Sequence, residues 1–104
     1  MAVIHLNKNN YKKEVLESEQ PVLIDFWAPW CGPCRMLGPT VDELSKDLTG
    51  KVKIAKVNID EEQELAQAFR VMSIPMLAVI RGGKLVSSSV GLQSKTKIMK
   101  MLEK

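Results

Sequence analysis

Three patterns in this chain predict an α/β fold. The run Val22-Leu23-Ile24-Asp25-Phe26-Trp27 is almost continuously apolar and suits a strand covered on both faces. Downstream, Cys34, Leu37, Val41, Leu44 and Leu48 recur every three or four residues and trace one helical stripe. Near the C-terminus, Met76 to Ile80 and Leu85 to Val90 are apolar segments joined by Arg81-Gly82-Gly83-Lys84, a hairpin signal. Alternation followed by a hairpin predicts three layers, α/β/α, around a central mixed sheet of about five strands, with about four helices. The sheet should be parallel in its first half and antiparallel at its C-terminal hairpin. No linker, repeat or low-complexity tract interrupts the pattern, so residues 1–104 are expected to form a single domain.

Taken in order, Val3 to Leu6 reads as an edge strand. Asn10 to Glu17 reads as a short helix with Val15 and Leu16 on its buried side. Val22–Trp27, following Pro21, should be a central strand. The long helix then runs from the Cys31 region to a stop at Gly50. Lys53 to Ile59 is a second internal strand. Asp60 is a candidate N-cap for a helix carrying Leu65, Ala66 and Phe69. After the hairpin, Ser94 to Leu102 closes the chain as a helix with Ile98, Met101 and Leu102 inward. The order is β-α-β-α-β-α-β-β-α.

Composition narrows the class. With 45% hydrophobic and 26% charged residues, the chain reads as a soluble globular protein, not a disordered or membrane one. Neither a secretory leader nor an apolar stretch of roughly 18 residues is visible, so a cytoplasmic, non-membrane protein is expected. The net charge of +3 is uneven: residues 81–104 carry six basic and one acidic side chain. Lys95, Lys97, Lys100 and Lys104 read as a solvated helix face, because no aromatic residue is interleaved to stack on nucleic-acid bases.

Both cysteines lie in Trp30-Cys31-Gly32-Pro33-Cys34, which confines any sulfur chemistry to one helical turn. At that spacing the side chains share a face, with Cβ atoms roughly 5–6 Å apart, so a small adjustment opens or closes an S–S bond. A cysteine at a helix tip meets unpaired backbone N–H groups and the positive end of the helix dipole, which favour thiolate. Cys31 is therefore the candidate nucleophile. Cys34, on the apolar stripe, suits the resolving role. Gly32 is expected to let the backbone turn tightly beside the sulfur, and Pro33 to pre-set a helical φ. A zinc site would need further ligands from His5 and carboxylates, with no second cysteine pair, so no metal is expected. A static disulfide would close a loop too short to constrain much of the unfolded chain.

Asp25 is a carboxylate inside an apolar strand that leads into the cysteine loop. Burial should raise its pKa and make it a candidate proton acceptor for Cys34, through water. Lys56, on the neighbouring strand, is a candidate modulator of that charge.

Phe26-Trp27-Ala28-Pro29-Trp30-Cys31-Gly32-Pro33-Cys34, with Asp25 before it, Lys56-Val57-Asn58-Ile59-Asp60, Ile74-Pro75 and then Gly91, resembles the thioredoxin family across essentially the whole chain. The resemblance implies a thioredoxin fold and a protein disulfide reductase working through a redox-active Cys31–Cys34 disulfide. It implies no bound cofactor, re-reduction by a separate NADPH-dependent flavoprotein reductase, disulfide-containing client proteins and a monomer. It further implies that Pro75 is cis and that Trp30, Ser73, Ile74, Pro75, Val90 and Gly91 form a shallow substrate groove. A kink in the long helix at Pro39 is also implied. Departures stand at Pro29, at Met76 where threonine is usual and at Ile80 where phenylalanine is common. Met76 is expected to make the groove more apolar and so to bear on client preference.

Two other readings share these residues. One is a dithiol oxidant or isomerase of the same fold, distinguished by redox potential. The other is a non-catalytic binding module or accessory subunit that uses the groove near Trp30, Pro75 and Gly91.

Overall fold

A strand with apolar side chains on both faces needs cover on both sides, and Val22–Trp27 receives it. The computed structural model describes residues 3–104; Met1 and Ala2, the first two residues of the expected domain, lie outside the described residues. Five strands form one sheet in the order β1-β3-β2-β4-β5: β1 (Ile4–His5), β2 (Val22–Trp27), β3 (Lys53–Asn58), β4 (Met76–Arg81) and β5 (Lys84–Val90). β1 and β2 both run parallel to β3, while β4 runs antiparallel to β2 and to β5. The central position of β2 explains why it reads as nearly unbroken apolar sequence.

The two-residue period of a strand sorts its side chains between two cores. Val22, Ile24 and Phe26 face a cluster with Val15, Leu65, Ala78 and Ile80. Leu23 faces the opposite cluster with Leu37, Val41, Leu44, Leu77, Val79, Ile98 and Met101. Helices α1 (Gly32–Asp47) and α3 (Lys95–Leu102) supply the second cluster. A short π-helical segment, Lys12–Leu16, and α2 (Gln63–Ala68) supply the first. By the same alternation Asp25 belongs with Leu23, on the α1 side.

The Arg81-to-Lys84 connection is the expected tight hairpin. Gly82 and Gly83 have φ values of +62° and +80°, which the two-residue turn demands and which side-chain-bearing residues resist. α1 runs from Gly32 to Asp47 with Pro39 inside it.

Several expectations are corrected. The first helical segment is a single wide turn, with the Glu17 N–H donating to the Lys12 carbonyl at 2.9 Å. One turn cannot aim two consecutive residues at the core, so Val15 is buried while Leu16 is exposed and lies against Gly83. The first strand shrinks to Ile4–His5, which stand in register with Ala55 and Lys56 of β3, and the Leu6 N–H ends the pairing on the Lys56 carbonyl at 2.9 Å. Asp60 does not cap α2; Glu62 holds that position. The turn before α2 is organised by Asn58, whose Oδ1 accepts from the Asp60 N–H at 2.9 Å and whose carbonyl accepts from Glu61 and Glu62. Met76 and Ile80 are buried in the core, so Met76 does not line the surface groove as expected.

Candidate active site

β2 ends at Trp27, and a tight loop carries the chain into α1 at Gly32. Cys31 is the N-cap of that helix, with extended backbone angles of −92° and 114°. Its Sγ occupies the place a serine or aspartate oxygen usually fills and accepts from the Cys34 N–H at 3.2 Å. The Cys31 N–H donates to the Ala28 carbonyl at 3.2 Å and the Arg35 N–H to the Cys31 carbonyl at 3.2 Å, so the loop is tied at both ends. Cys31 and Cys34 are joined by a disulfide, with Cα atoms 5.3 Å apart.

The two sulfurs differ in surroundings more than in exposure. Cys31 is 6% exposed and Cys34 4%, so both residues are largely covered. The asymmetry comes from position: Cys31 holds the helix tip, whereas Cys34 lies within the first turn on its core side. Gly32 also needs a different account. Its φ is not in the left-handed region, and a Cβ there would meet nothing within 4 Å, so it serves no conformational demand of this loop. What it leaves is open space beside the disulfide.

Under the disulfide is a cavity of about 190 Å³ lined by Asp25, Trp27, Cys34, Arg35, Gly38 and Lys56. Asp25 is 1% exposed, and its Oδ1 finds no hydrogen-bond partner among the described residues. Burial pushes its pKa up to about 6; the Lys56 ammonium pulls the other way and the Asp42 carboxylate adds to the rise. Lys56 is the direct parallel-strand neighbour of Asp25, and its Nζ lies 3.1 Å from Asp42 Oδ1. The structure thus brings Asp25, Lys56 and Cys34 to one pocket, half-open to solvent.

On the outer side, the Ile74–Pro75 bond is cis. The Ile74 carbonyl oxygen lies 3.9 Å from Cys31 Sγ, and Ile74 packs against the cysteine cluster. The Gly91 N–H donates to the Pro75 carbonyl at 2.8 Å, and Val90 stands opposite Met76 in the β4–β5 ladder. Ser73 and Val90 are exposed, Ile74 and Gly91 half-buried, and Pro75 is buried. Trp30 is exposed, and its indole N–H donates to Asp60 Oδ2 at 3.0 Å. Reading the sequence did not find that role for Asp60, because the partners are thirty positions apart and no local pattern links them. Arg35 and Gly38, as cavity walls, were missed for a related reason: they look like ordinary helix residues until the helix is laid on β3. Among the described residues no group of three or more His, Cys, Asp or Glu could hold a metal ion.

A redox-capable cysteine pair at a helix N-terminus, above a mixed sheet and beside a cis-proline loop, defines a thiol–disulfide oxidoreductase. Comparison with known proteins narrows the class. Residues 2–104 match the family model described as thioredoxin. The chain is 47% identical to thioredoxin 1 of Nostoc sp. over 103 residues, covering 99% of this chain and 96% of that one. It is 50% identical to a thioredoxin of Synechocystis sp. over 95 residues, covering 91% and 89%. It is 46% identical to a thioredoxin of Haemophilus influenzae over 96 residues, covering 92% and 90%. The chain belongs to the thioredoxin family, and its activity is protein disulfide reduction.

Proposed function

We propose that residues 1–104 form one domain that reduces client disulfides by a two-step exchange in which Cys31 attacks and Cys34 resolves. In the reduced form the Cys31 thiolate attacks one client sulfur, forming an S–S bond to it and breaking the client disulfide; the second client sulfur leaves as a thiolate and takes up a proton. The Cys34 sulfur then attacks Cys31, its proton passing to Asp25 through the cavity, and the first client sulfur leaves as a thiolate that takes up a proton. The protein ends as the Cys31–Cys34 disulfide and the client as a dithiol, two electrons having moved. The observation that carries this assignment is Cys31 Sγ at the N-cap of α1, receiving the Cys34 N–H at 3.2 Å. That bond and the helix dipole favour a thiolate at Cys31.

An Asp25 carboxyl held near pKa 6 is matched to proton transfer around neutrality. The cavity has room for several waters, at roughly 30 Å³ each, as carriers of the proton. Lys56 keeps the Asp25 charge tolerable without pairing to it, since its nearest carboxylate is Asp42. The client segment would lie along Ser73-Ile74-Pro75, with Trp30 on one side and Val90-Gly91 on the other, using exposed backbone for strand-like pairing. Disulfide-containing proteins are the clients, and a separate NADPH-dependent flavoprotein reductase returns the electron pair. No bound cofactor is required of this chain, which acts as a monomer in the cytoplasm. No helix among the described residues is long and apolar enough to cross a membrane.

The test is reduction of a disulfide-bonded protein by the purified chain with a family reductase and NADPH. Cys31→Ser should abolish turnover, and Cys34→Ser should accumulate mixed disulfides through Cys31, read by mass spectrometry. A folded Cys31→Ser variant that still turns over would sink the assignment.

A further inference from the structure

Among the described residues the methionines differ widely in exposure. Met76 and Met101 are 9% and 7% exposed, Met99 39%, Met36 66% and Met72 94%. Met72 is held outward by its neighbours: Val71 packs on the core cluster, while Ile74 packs on that cluster and on the cysteines, leaving Met72 and the exposed Ser73 as the crest of the loop. That crest stands two residues before the carbonyl 3.9 Å from Cys31 Sγ. Met72 is one of the exposed apolar side chains that lie within two residues of a site contact in sequence. Trp30, Val90 and Leu92 are also exposed, and each is within one residue of a site contact: Trp30 beside Cys31, Val90 and Leu92 on either side of Gly91, which donates to Pro75.

We propose that Met72 is a hydroperoxide-sensitive modification site on the client-docking rim, and that its conversion to the sulfoxide weakens client binding while leaving thiol exchange intact. The proposal rests on the reading above that the loop at residues 72–75 borders the docking groove. The Met72 thioether attacks the terminal oxygen of a hydroperoxide, forming S–O and breaking O–O. The sulfur is oxidised by two electrons, and the peroxide is reduced to water or an alcohol. Access governs this reaction, and an almost fully exposed thioether has no shield. The product is a polar, chiral side chain where a flexible apolar one had served. Oxidation at this position weakens docking and touches no bond-making step, so the effect belongs in KM.

The experiment treats the disulfide form of the 104-residue chain with graded hydrogen peroxide, quenches with catalase, maps sulfoxides by peptide mass spectrometry, and then assays the thiol-reduced protein. Among the five methionines of the described residues, Met72 should oxidise first, Met36 next, and Met76 and Met101 last; equal rates at Met72 and Met99 would overturn the site. Oxidised protein should show KM for an apolar disulfide-bonded client raised about three- to ten-fold, the scale of returning a partly buried apolar side chain to water, with kcat and the reduction of a small soluble disulfide unchanged. Oxidation without a rise in KM would overturn the proposal. Met72→Leu cannot form a sulfoxide, so its KM, whatever its starting value, should not respond to peroxide. Met36→Leu should respond as the parent does; the reverse assignment would refute Met72. Untreated parent protein that cannot reduce the client at all would instead overturn the underlying reductase reading.

Discussion

A carboxyl oxygen buried without a hydrogen-bond partner destabilises a fold once the group ionises, and among the described residues Asp25 Oδ1 has none. Its native pKa is raised from 3.8 to about 6, so the folded state binds the proton more tightly than the unfolded one. Stability therefore falls as pH rises from near 4 through 6, and the full cost is present above that window. A shift of that size corresponds to an upper figure of about 3 kcal/mol. Asp25→Asn should thus stabilise the protein by about 1–3 kcal/mol at pH 7.5, the lower end allowing for an unpaired amide, with the gain vanishing near pH 4. Urea unfolding across pH checks this, and a gain independent of pH would remove Asp25 ionisation as the cause. The same residue sets a kinetic expectation with the opposite sign for function. Resolution of a Cys31-linked mixed disulfide should slow as pH falls through about 6, where Asp25 becomes protonated and cannot accept, and Asp25→Asn should flatten that dependence in stopped-flow traces.

Elements in this chain are legible wherever local pattern and tertiary demand agree. The sequence of β2 announces a doubly covered strand, the stripe from Cys34 to Leu44 announces α1, and Gly82-Gly83 announces the hairpin turn. Local pattern misleads where an interaction remote in sequence decides the outcome. Asp60 has the chemistry of an N-cap, yet Asn58 organises that turn and Asp60 instead holds the Trp30 indole. Leu16 looks apolar enough to be core, yet a single wide turn has only one inward position and Val15 takes it. Met76 reads as groove and proves to be core, whereas Met72 carries no pattern marking it for the rim. At the final helix the local rule holds: Ser94 Oγ accepts from the Lys97 N–H at 3.2 Å. Ser94→Ala should cost about 1 kcal/mol, lowering Tm by roughly 4–8 °C in a domain of this size, while Ser94→Asp retains most of the stability. Calorimetry checks it. An equal loss for alanine and aspartate would show that the cap contributes nothing.

At the scale of the molecule, one sheet serves two cores, and neither core is complete without it. Val22, Ile24 and Phe26 belong to the cluster under α2, while Leu23, one position away on the same strand, belongs to the cluster under α1 and α3. Losing either helical layer exposes one side of β2, and a strand with both faces apolar cannot rest half-covered in water. The two layers should therefore unfold together. The site joins them too, because β2 and β3 deliver Asp25 and Lys56 to the cavity on the α1 side, while the loop after α2 delivers Ile74 to Cys31. Ile24→Val and Ile98→Val probe the two cores separately, each at an expected cost of about 0.5–1.5 kcal/mol. In both variants the tryptophan fluorescence and far-UV circular dichroism transitions in urea should coincide, with an unchanged m-value, and the two costs should add within about 0.5 kcal/mol in the double variant. A fluorescence transition that separates from the dichroism one in Ile98→Val alone would mean that the α1–α3 layer melts independently, and the one-domain proposal would fall with it.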